Sequence, residues 1–293
     1  MPSFTQPPGY RDLRNGFRIV FETTAPSVAA AAVNKSIDPP LARTTKEQPF
    51  VNTLCMEFVP VPDTKVLFFI HETRRQDYAV YAAEVPGVNI EWKNQERDGV
   101  PCGDKDNHPV VGVSWEDAQA FCQWLSKKEG QTYRLATDRE WSLAVGIGHE
   151  EKWTIGVTPA SLNFKVQNAF LWGGDFPPKT EDKAGNYADT AYREKFPTKS
   201  FIEGYTDGFA TTAPAMSFNP NKLGLYDMGG NVWEWCENWY DAEEKDRVLR
   251  GGSSYSNFKR HSLLSSCRNR NAPNPRRNDG GFRIVVELTK PER

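Results

Sequence analysis

The chain has 293 residues, a formal net charge of −2 and a pI near 6.2. It therefore carries no excess of basic residues to attract nucleic acid or an anionic membrane, and both partner classes are disfavoured. The mean hydropathy is low, at −0.64, but nine Trp, ten Tyr and 17 Phe supply enough bulky apolar groups for a sizeable core, which argues against a disordered chain.

The cysteines predict neither a disulfide framework nor a zinc site, because they are odd in number and form no CxxC pair. They are Cys55, Cys102, Cys122, Cys236 and Cys267. No apolar run is long enough to span a membrane, and the first residues lack the pattern of a signal peptide. A chain from which an export or lipoprotein signal has been removed would also lack this pattern. If such a signal was removed, we expect a location at the cell surface or outside the cell.

Residues 1–50 are predicted to form an N-terminal extension with one strand-like segment, NGFRIVFETTAP at 15–26. The segment GGFRIVVELTKP at 280–291 repeats it in the same register. The first copy is either the end of a preceding, truncated domain, which we favour slightly, or a strand at a related position of the same sheet. We place the main domain at residues 51–293.

The main domain begins with two strand patterns, at 56–62 and 65–72, which flank a Pro-Asp turn. Thr73 and Gln76 have the spacing of a capping box, which predicts that a first helix starts there and ends before Pro86.

Two further helices have well-defined ends in the sequence. Ser114 and Asp117 predict the start of the second helix, and Gly130 predicts its end. Four apolar residues fall on one face of it: Ala118, Phe121, Cys122 and Leu125. A short strand then precedes the third helix, for which Thr137 and Glu140 predict a capping box.

The second half of the chain is predicted to be rich in loops. Residues 148–225 contain little periodic pattern and many Gly, Pro and Asn, which is typical of functional loops or of loops held by bound ions. Strands are expected near 248–252 and 282–287. Between them lies a polar stretch, 254–279, with five Asn, five Ser and five Arg and almost no apolar run.

Five motifs in order along the chain resemble the formylglycine-generating enzyme superfamily. They are HPVVGVSWEDAQAFCQWLSKKEG at 108–130, YRLATDREW at 133–141, GLYDMGGNVWEWCENW at 224–239, RVLRGGS at 247–253 and GGFRIV at 280–285. The resemblance implies an α+β, C-type-lectin-like fold with small, twisted antiparallel sheets, two or three helices and much irregular loop. Ala136 and Ser254 depart from the family's usual Pro and Trp.

The chemistry of that family does not carry over to this chain. In its enzymes, two cysteines shortly after the Gly-Gly-Ser bind copper, whereas residues 254–266 contain none and Cys267 stands alone. The related sulfoxide synthases use a His-rich iron site, and the four histidines here form no helical pair. We therefore predict no enzymatic activity and no catalytic cofactor. The alternatives are a metal-dependent oxidoreductase of either type and an accessory regulatory module.

The polar stretch also resembles the variable region of proteins that are diversified by retroelements. That resemblance implies a non-enzymatic receptor or display protein, here expected to be monomeric, in which residues 254–279 recognise a variable protein or glycan. Leu263, Leu264, Arg268, Arg270, Pro273 and Arg276 would form the framework of this segment. The predicted contact residues are Ser254, Tyr255, Asn257, Phe258, His261, Cys267, Asn269, Asn271, Asn274, Arg277, Asn278 and Asp279. The alternative is an ordinary polar surface loop.

The family resemblance further implies two structural calcium sites. The first would use the side chains of Asp227 and Glu234 and the backbone oxygens of Gly230 and Val232. The second would use Asn186 and Asp207 with the backbone oxygens of Tyr187 and Phe209. Calcium prefers such hard oxygen ligands on loops, although Asp and Asn at turns often only bind the local backbone.

Overall fold

A computed structural model describes residues 41–170, 172–256 and 260–288 of the chain. The strand-like segment at 15–26 and the predicted contact residues Asn257 and Phe258 lie outside these described residues. The predicted domain start at residue 51 stays a prediction.

The described residues form short strands and few helices. The strands are β1 (Phe50–Val51), β2 (Glu57–Pro60), β3 (Val66–Phe69), β4 (Gln95–Arg97), β5 (Val100–Cys102), β6 (Tyr133–Leu135), β7 (Trp233–Trp239), β8 (Arg247–Arg250), β9 (Asn269–Asn271), β10 (Gly280–Phe282) and β11 (Ile284–Glu287). The helices are α1 (Arg75–Glu84), α2 (Trp115–Glu129), α3 (Asp138–Ala144), α4 (Pro159–Leu162) and α5 (Thr190–Lys195). No helix in this part of the chain is long and apolar enough to cross a membrane.

Two sheets and a hairpin organise the domain. The larger sheet has the strand order β1-β2-β3-β11-β6 and is antiparallel throughout. The second sheet has the order β10-β7-β8-β9, in which β10 and β7 run parallel, and β4 and β5 form a separate hairpin. The last strand, β11, lies between β3 and β6. The polar stretch is preceded by β8 and followed by β10 and β11, so sheet pairing fixes the chain at both of its ends.

The core lies on both faces of the larger sheet. On one face, aromatic residues of α1 and α2 pack against both sheets, as in the contact of Phe121 with Phe282 at 5.5 Å between ring centroids. On the other face, α3 buries Trp141 and Ala144 against Phe68 and Val285. Burial of this aromatic area stabilises the part of the domain that lies under the polar stretch.

The second and third helices begin at the predicted caps. The hydroxyl of Ser114 accepts a hydrogen bond from the backbone N–H of Asp117 at 3.1 Å, and Thr137 does the same for Glu140 at 3.2 Å. Gly130 ends α2 with a φ of 66°, a left-handed conformation that glycine adopts without steric cost. These predictions are confirmed.

The predicted start of the first helix is wrong by one residue. Arg74, not Thr73, is the N-cap, and its backbone N–H donates to the Asp77 carboxylate at 3.0 Å. The backbone of Thr73 instead bonds to Phe282 and Val110, each at 2.9 Å. Because these long-range bonds hold Thr73 among the strands and loops, it is not available as a cap.

One arginine just before the polar stretch and one arginine within it share a buried carboxylate. Arg250, at the end of β8, pairs with Asp138, and the Arg268 Nε donates to the same carboxylate at 2.8 Å. Arg268 also makes a two-pronged ion pair with Glu151, at 2.7 and 2.8 Å. The side chains of all four have no solvent exposure in these pairs. The network therefore ties the segment to α3 and to the loop after it.

Replacing Asp138 by Ala should lower the free energy of unfolding by about 3–5 kcal/mol, because it leaves two buried guanidinium groups with one carboxylate. Urea unfolding followed by fluorescence measures this. The control is Glu243→Ala, which removes a surface pair with Lys245 and should change stability by no more than about 0.5 kcal/mol. Equal effects of the two variants would contradict a structural role for the network.

Candidate functional site

The middle of the polar stretch belongs to the interior of the domain. Residues 263–268 are all buried. Leu263 and Leu264 pack in an apolar cluster with Phe170, Tyr187 and Tyr205. Of the predicted framework residues, Leu263, Leu264 and Arg268 are buried, whereas Arg270 is about half exposed, with 54% of its side chain accessible.

Three predicted contact residues are buried, and the prediction is wrong for Ser254 and Cys267, whereas Asp279 lines the concave surface described below. Ser254, Cys267 and Asp279 are 1%, 8% and 6% exposed. The turn at Ser254 is fixed by a backbone bond to Asn231, and Cys267 follows the buried serines next to Arg250 and Arg268. Asp279 accepts two hydrogen bonds from Arg277, at 2.8 and 2.9 Å. Ser254 and Cys267 are held by hydrogen bonds to residues distant in sequence, and Asp279 is held by its ion pair with Arg277.

The other predicted contact residues divide among separate places. His261 is exposed beside Phe164, with ring centroids 5.5 Å apart. Asn269 and Asn271 lie on β9 at the edge of the second sheet, and Asn274 is exposed in the loop that follows. Of the predicted contact residues that the structure describes, Tyr255, Arg277 and Asn278, with the buried Asp279, line a common concave surface.

That surface, which we call the arginine cleft, has a volume of about 430 Å³. It is lined by Gln95, Arg97, Tyr255, Arg276, Arg277, Asn278 and Asp279. Gln95 and Arg97 come from β4 and were missed in the sequence. Asp98 and Gly99, both with positive φ, form the turn of the hairpin, and this Asp-Gly pair is a signal from which the hairpin could have been predicted.

Hydrogen bonds between the C-terminal segment and the β4–β5 hairpin hold the walls of the arginine cleft together. The Tyr255 hydroxyl lies 2.7 Å from the Cys102 Sγ, and the Asn278 side chain donates to the Glu96 carbonyl at 2.7 Å. Burial, followed by the neighbouring Cys102, raises the pKa of Tyr255 above its usual value. Tyr255 therefore stays a neutral phenol that links the C-terminal segment to the hairpin.

At the first predicted calcium site, the guanidinium group of Arg283 already binds one of the predicted ligands, Glu234. Glu234 accepts hydrogen bonds from Arg283 at 2.7 and 3.1 Å and from the Trp141 indole at 2.9 Å. Asp227 uses one oxygen for the Met216 N–H, whereas its buried Oδ1 has no partner. Both buried oxygens of the neighbouring Glu72 also lack a partner. The site therefore fits calcium only in part.

The second predicted calcium site fits the ion better. The Asn186 Oδ1 is buried without a hydrogen-bond partner, and Asp207 accepts bonds from the backbone N–H groups of Tyr187 and Phe209, both at 2.9 Å. Burial and then the charge of Asp189 raise the pKa of Asp207 from 3.8 to about 8. A bound divalent cation would complete the coordination of Asn186 and stabilise the ionised form of Asp207.

Asn231, which the sequence analysis did not single out, joins the two predicted ion sites. Its buried side chain lies between the Asn186 amide, at 3.2 Å, and the Ala213 N–H, at 2.8 Å, and its backbone N–H donates to the Asn186 carbonyl. Gly230 beside it approaches so closely that an added Cβ would lie 2.2 Å from the Asn186 oxygen. In the described part of the chain, no three His, Cys, Asp or Glu side chains are grouped to hold a metal, so both sets depend on backbone or amide oxygens.

Residues 35–288 match the family model of the sulfatase-modifying factor enzyme 1-like domain. The chain belongs to this family. The resemblance that the sequence motifs indicated is confirmed, and the fold is the expected α+β fold of C-type-lectin-like kind.

The family contains relatives whose names describe active and inactive proteins. The formylglycine-generating enzyme of Mus musculus is 32% identical over 219 residues, which cover 69% of this chain and 50% of that protein. The inactive C-alpha-formylglycine-generating enzyme 2 of Mus musculus is 31% identical over 232 residues, which cover 77% of this chain and 65% of that protein. This chain spans about half the length of the first of these relatives. Membership therefore fixes the fold but leaves the activity to be argued from the site.

Two solved structures have a similar fold at low sequence identity. PvdO from Pseudomonas aeruginosa matches with a TM-score of 0.54 and 21% identity, over 80% of this chain and 96% of that one. Treponema denticola variable protein 1 matches with a TM-score of 0.49 and 19% identity, over 76% of this chain and 84% of that one.

In the absence of calcium, Asp207 should make stability fall as the pH rises from about 4 to 8. The folded state keeps the carboxyl proton up to about pH 8, whereas the unfolded chain releases it near 3.8, so the unfolded state binds fewer protons in this window. Asp207→Asn should flatten this slope when unfolding is measured in chelator across the window. The exposed Glu150→Gln variant is the control, and equal slopes for Asp207→Asn and the wild type would contradict the assignment.

Proposed function

We propose that this chain is a non-enzymatic ligand-binding protein in which the arginine cleft is the recognition site. The observation that carries the proposal is that partly buried residues of the C-terminal polar stretch meet the β4–β5 hairpin in one concave surface. The partner we propose is a protein. The expected location at the cell surface or outside the cell and the monomeric state stay predictions.

The chemistry of the cysteines supports a role other than catalysis. The thiol that follows the Gly-Gly-Ser most closely is Cys267, and its burial raises its pKa to about 11. A thiol that stays protonated at neutral pH is a poor nucleophile and a poor ligand for a soft metal ion. Cys102 has its pKa raised for the same reason and is engaged by Tyr255.

The construction of the cleft supports binding. Tyr255 and Asn278 are each fixed to the hairpin by one hydrogen bond, so little side-chain freedom is lost when a ligand arrives. Amide and guanidinium groups on a rigid body give the adaptable polar contacts that are typical of paratopes. The proposed contact residues are therefore Tyr255, Arg277 and Asn278 of the predicted set, with Gln95 and Arg97 added.

A random peptide library displayed on phage and selected against the immobilised full chain tests this function. Enriched clones should bind the double variant Gln95→Ala/Asn278→Ala at least about tenfold more weakly, a loss of about 1.4 kcal/mol. The matched control is Asn269→Ala/Asn274→Ala, which also removes two amides of surface residues but lies outside the cleft.

Two results would contradict the proposal. One is a selection whose clones respond equally to both double variants, or that yields no clones. The other is conversion of a cysteine in a peptide to an aldehyde, with oxygen consumption, when the chain is supplied with copper and a thiol reductant. The second result would instead show that the chain is an oxidoreductase.

We also propose that calcium binds at the site of Asn186 and Asp207 as a structural ion. Adding calcium to chelator-treated protein should raise the free energy of unfolding by about 2.7 kcal/mol at a hundredfold excess over Kd. Thermal unfolding measures the effect, with magnesium as the control ion. Asp207→Asn and Asn186→Ala should each remove the calcium increment, and melting curves that are identical with and without calcium would refute the site.

A further inference from the structure

The charges that line the arginine cleft do not balance. Arg277 is paired with Asp279, and Arg276 is paired with Asp117 at 2.7 and 3.0 Å. Among the described residues, the Arg97 guanidinium has neither an ion-pair partner nor a hydrogen-bond acceptor. The cleft therefore presents one uncompensated positive charge next to two arginines that are already neutralised.

Aromatic rings hold Arg97 in place without using its N–H groups. Its guanidinium carbon lies 3.8 Å from the centroid of the Tyr255 ring, 5.5 Å from that of Tyr192 and 5.6 Å from that of Phe196. Contact with the faces of aromatic rings stabilises a cation but leaves the N–H donors, which lie in the plane of the guanidinium, available to another group. Arg97 is half-buried, and the pairing of β4 with β5 fixes its backbone.

This geometry points to a planar anion as the ligand of Arg97. A carboxylate matches the forked donors of a guanidinium, with which it forms two parallel charge-assisted hydrogen bonds. The amides of Gln95 and Asn278, one on each wall of the cleft, can bind the neutral groups beside such an anion. The neighbouring Glu96 points to the opposite face of the strand from Gln95 and Arg97, because side chains alternate along a strand.

The occupied face of Tyr255 favours a peptide over a sugar as the source of the carboxylate. Sugar recognition by an aromatic residue needs an open ring face, and here Arg97 covers one face of Tyr255, the aromatic residue among those that line the cleft. We infer that the arginine cleft binds an acidic segment of a partner protein, with the Arg97 guanidinium holding an Asp or Glu carboxylate. This inference rests on the proposed function and names the ligand class of the same site.

A fluorescently labelled octapeptide of glutamate, compared with the same peptide made of glutamine, tests the inference by anisotropy titration of the full chain at low ionic strength. Only the glutamate peptide should bind. The net charge of −2 on the protein gives no general attraction for a polyanion, so binding would indicate a local site.

Arg97→Gln should weaken glutamate-peptide binding by about tenfold or more, and Arg97→Lys should weaken it less, because lysine keeps the charge but not the fork. The matched control is Arg193→Gln, which removes an arginine that also lies over an aromatic ring, Phe201, but not in this cleft. It should leave binding unchanged. Thermal unfolding of each variant verifies that the fold is intact.

Three results would overturn the inference: no binding of the glutamate peptide, equal binding of the glutamine peptide, or equal losses in the Arg97 and Arg193 variants. Preference for a glucuronate oligosaccharide over the glutamate peptide would also overturn it. The proposed function fails separately, in the library selection. If library clones depend on Gln95 and Asn278 but the glutamate peptide does not bind, the cleft is a binding site for a ligand of another charge.

Discussion

The C-terminal half of this domain depends on a single carboxylate, that of Asp138, which is buried between Arg250 and Arg268. Asp138 opens α3, so the ion pairs connect the second sheet to a helix that packs on the first sheet. Buried charges are tolerated only where their hydrogen-bonding groups are satisfied, and here Ser142, Glu151 and several carbonyls complete them. The polar stretch can therefore be largely irregular and still have one conformation over its middle part.

This constraint divides the polar stretch into two kinds of residue. Those near the two arginines, including Cys267 and Leu264, are interior residues whose change would disturb packing. Those beyond the network that the structure describes reach the surface in separate places, and the group around Tyr255 and Asn278 meets a second wall of the protein, the β4–β5 hairpin. A binding role is therefore concentrated in a small part of the segment rather than spread along its length.

Features determined by residues close in sequence were predicted well. The caps at Ser114 and Thr137 and the stop at Gly130 follow from groups within a few positions of one another. Features determined by distant partners were not: the burial of Cys267 depends on a network centred on Asp138, and Thr73 is bonded to Phe282. The same reason explains why four residues of the arginine cleft, Tyr255, Arg277, Asn278 and Asp279, were named from the sequence while Gln95 and Arg97 were missed.

The arginine cleft has walls from two parts of the chain about 180 residues apart, residues 95–97 and 276–279. The hairpin forms one wall of the cleft, and both residues of its turn, Asp98 and Gly99, are exposed. A change in the length of that turn would move one wall while the opposite wall and the ion network stay in place. An insertion in the hairpin turn would thus widen or narrow the opening of the cleft independently of substitutions near the C-terminus.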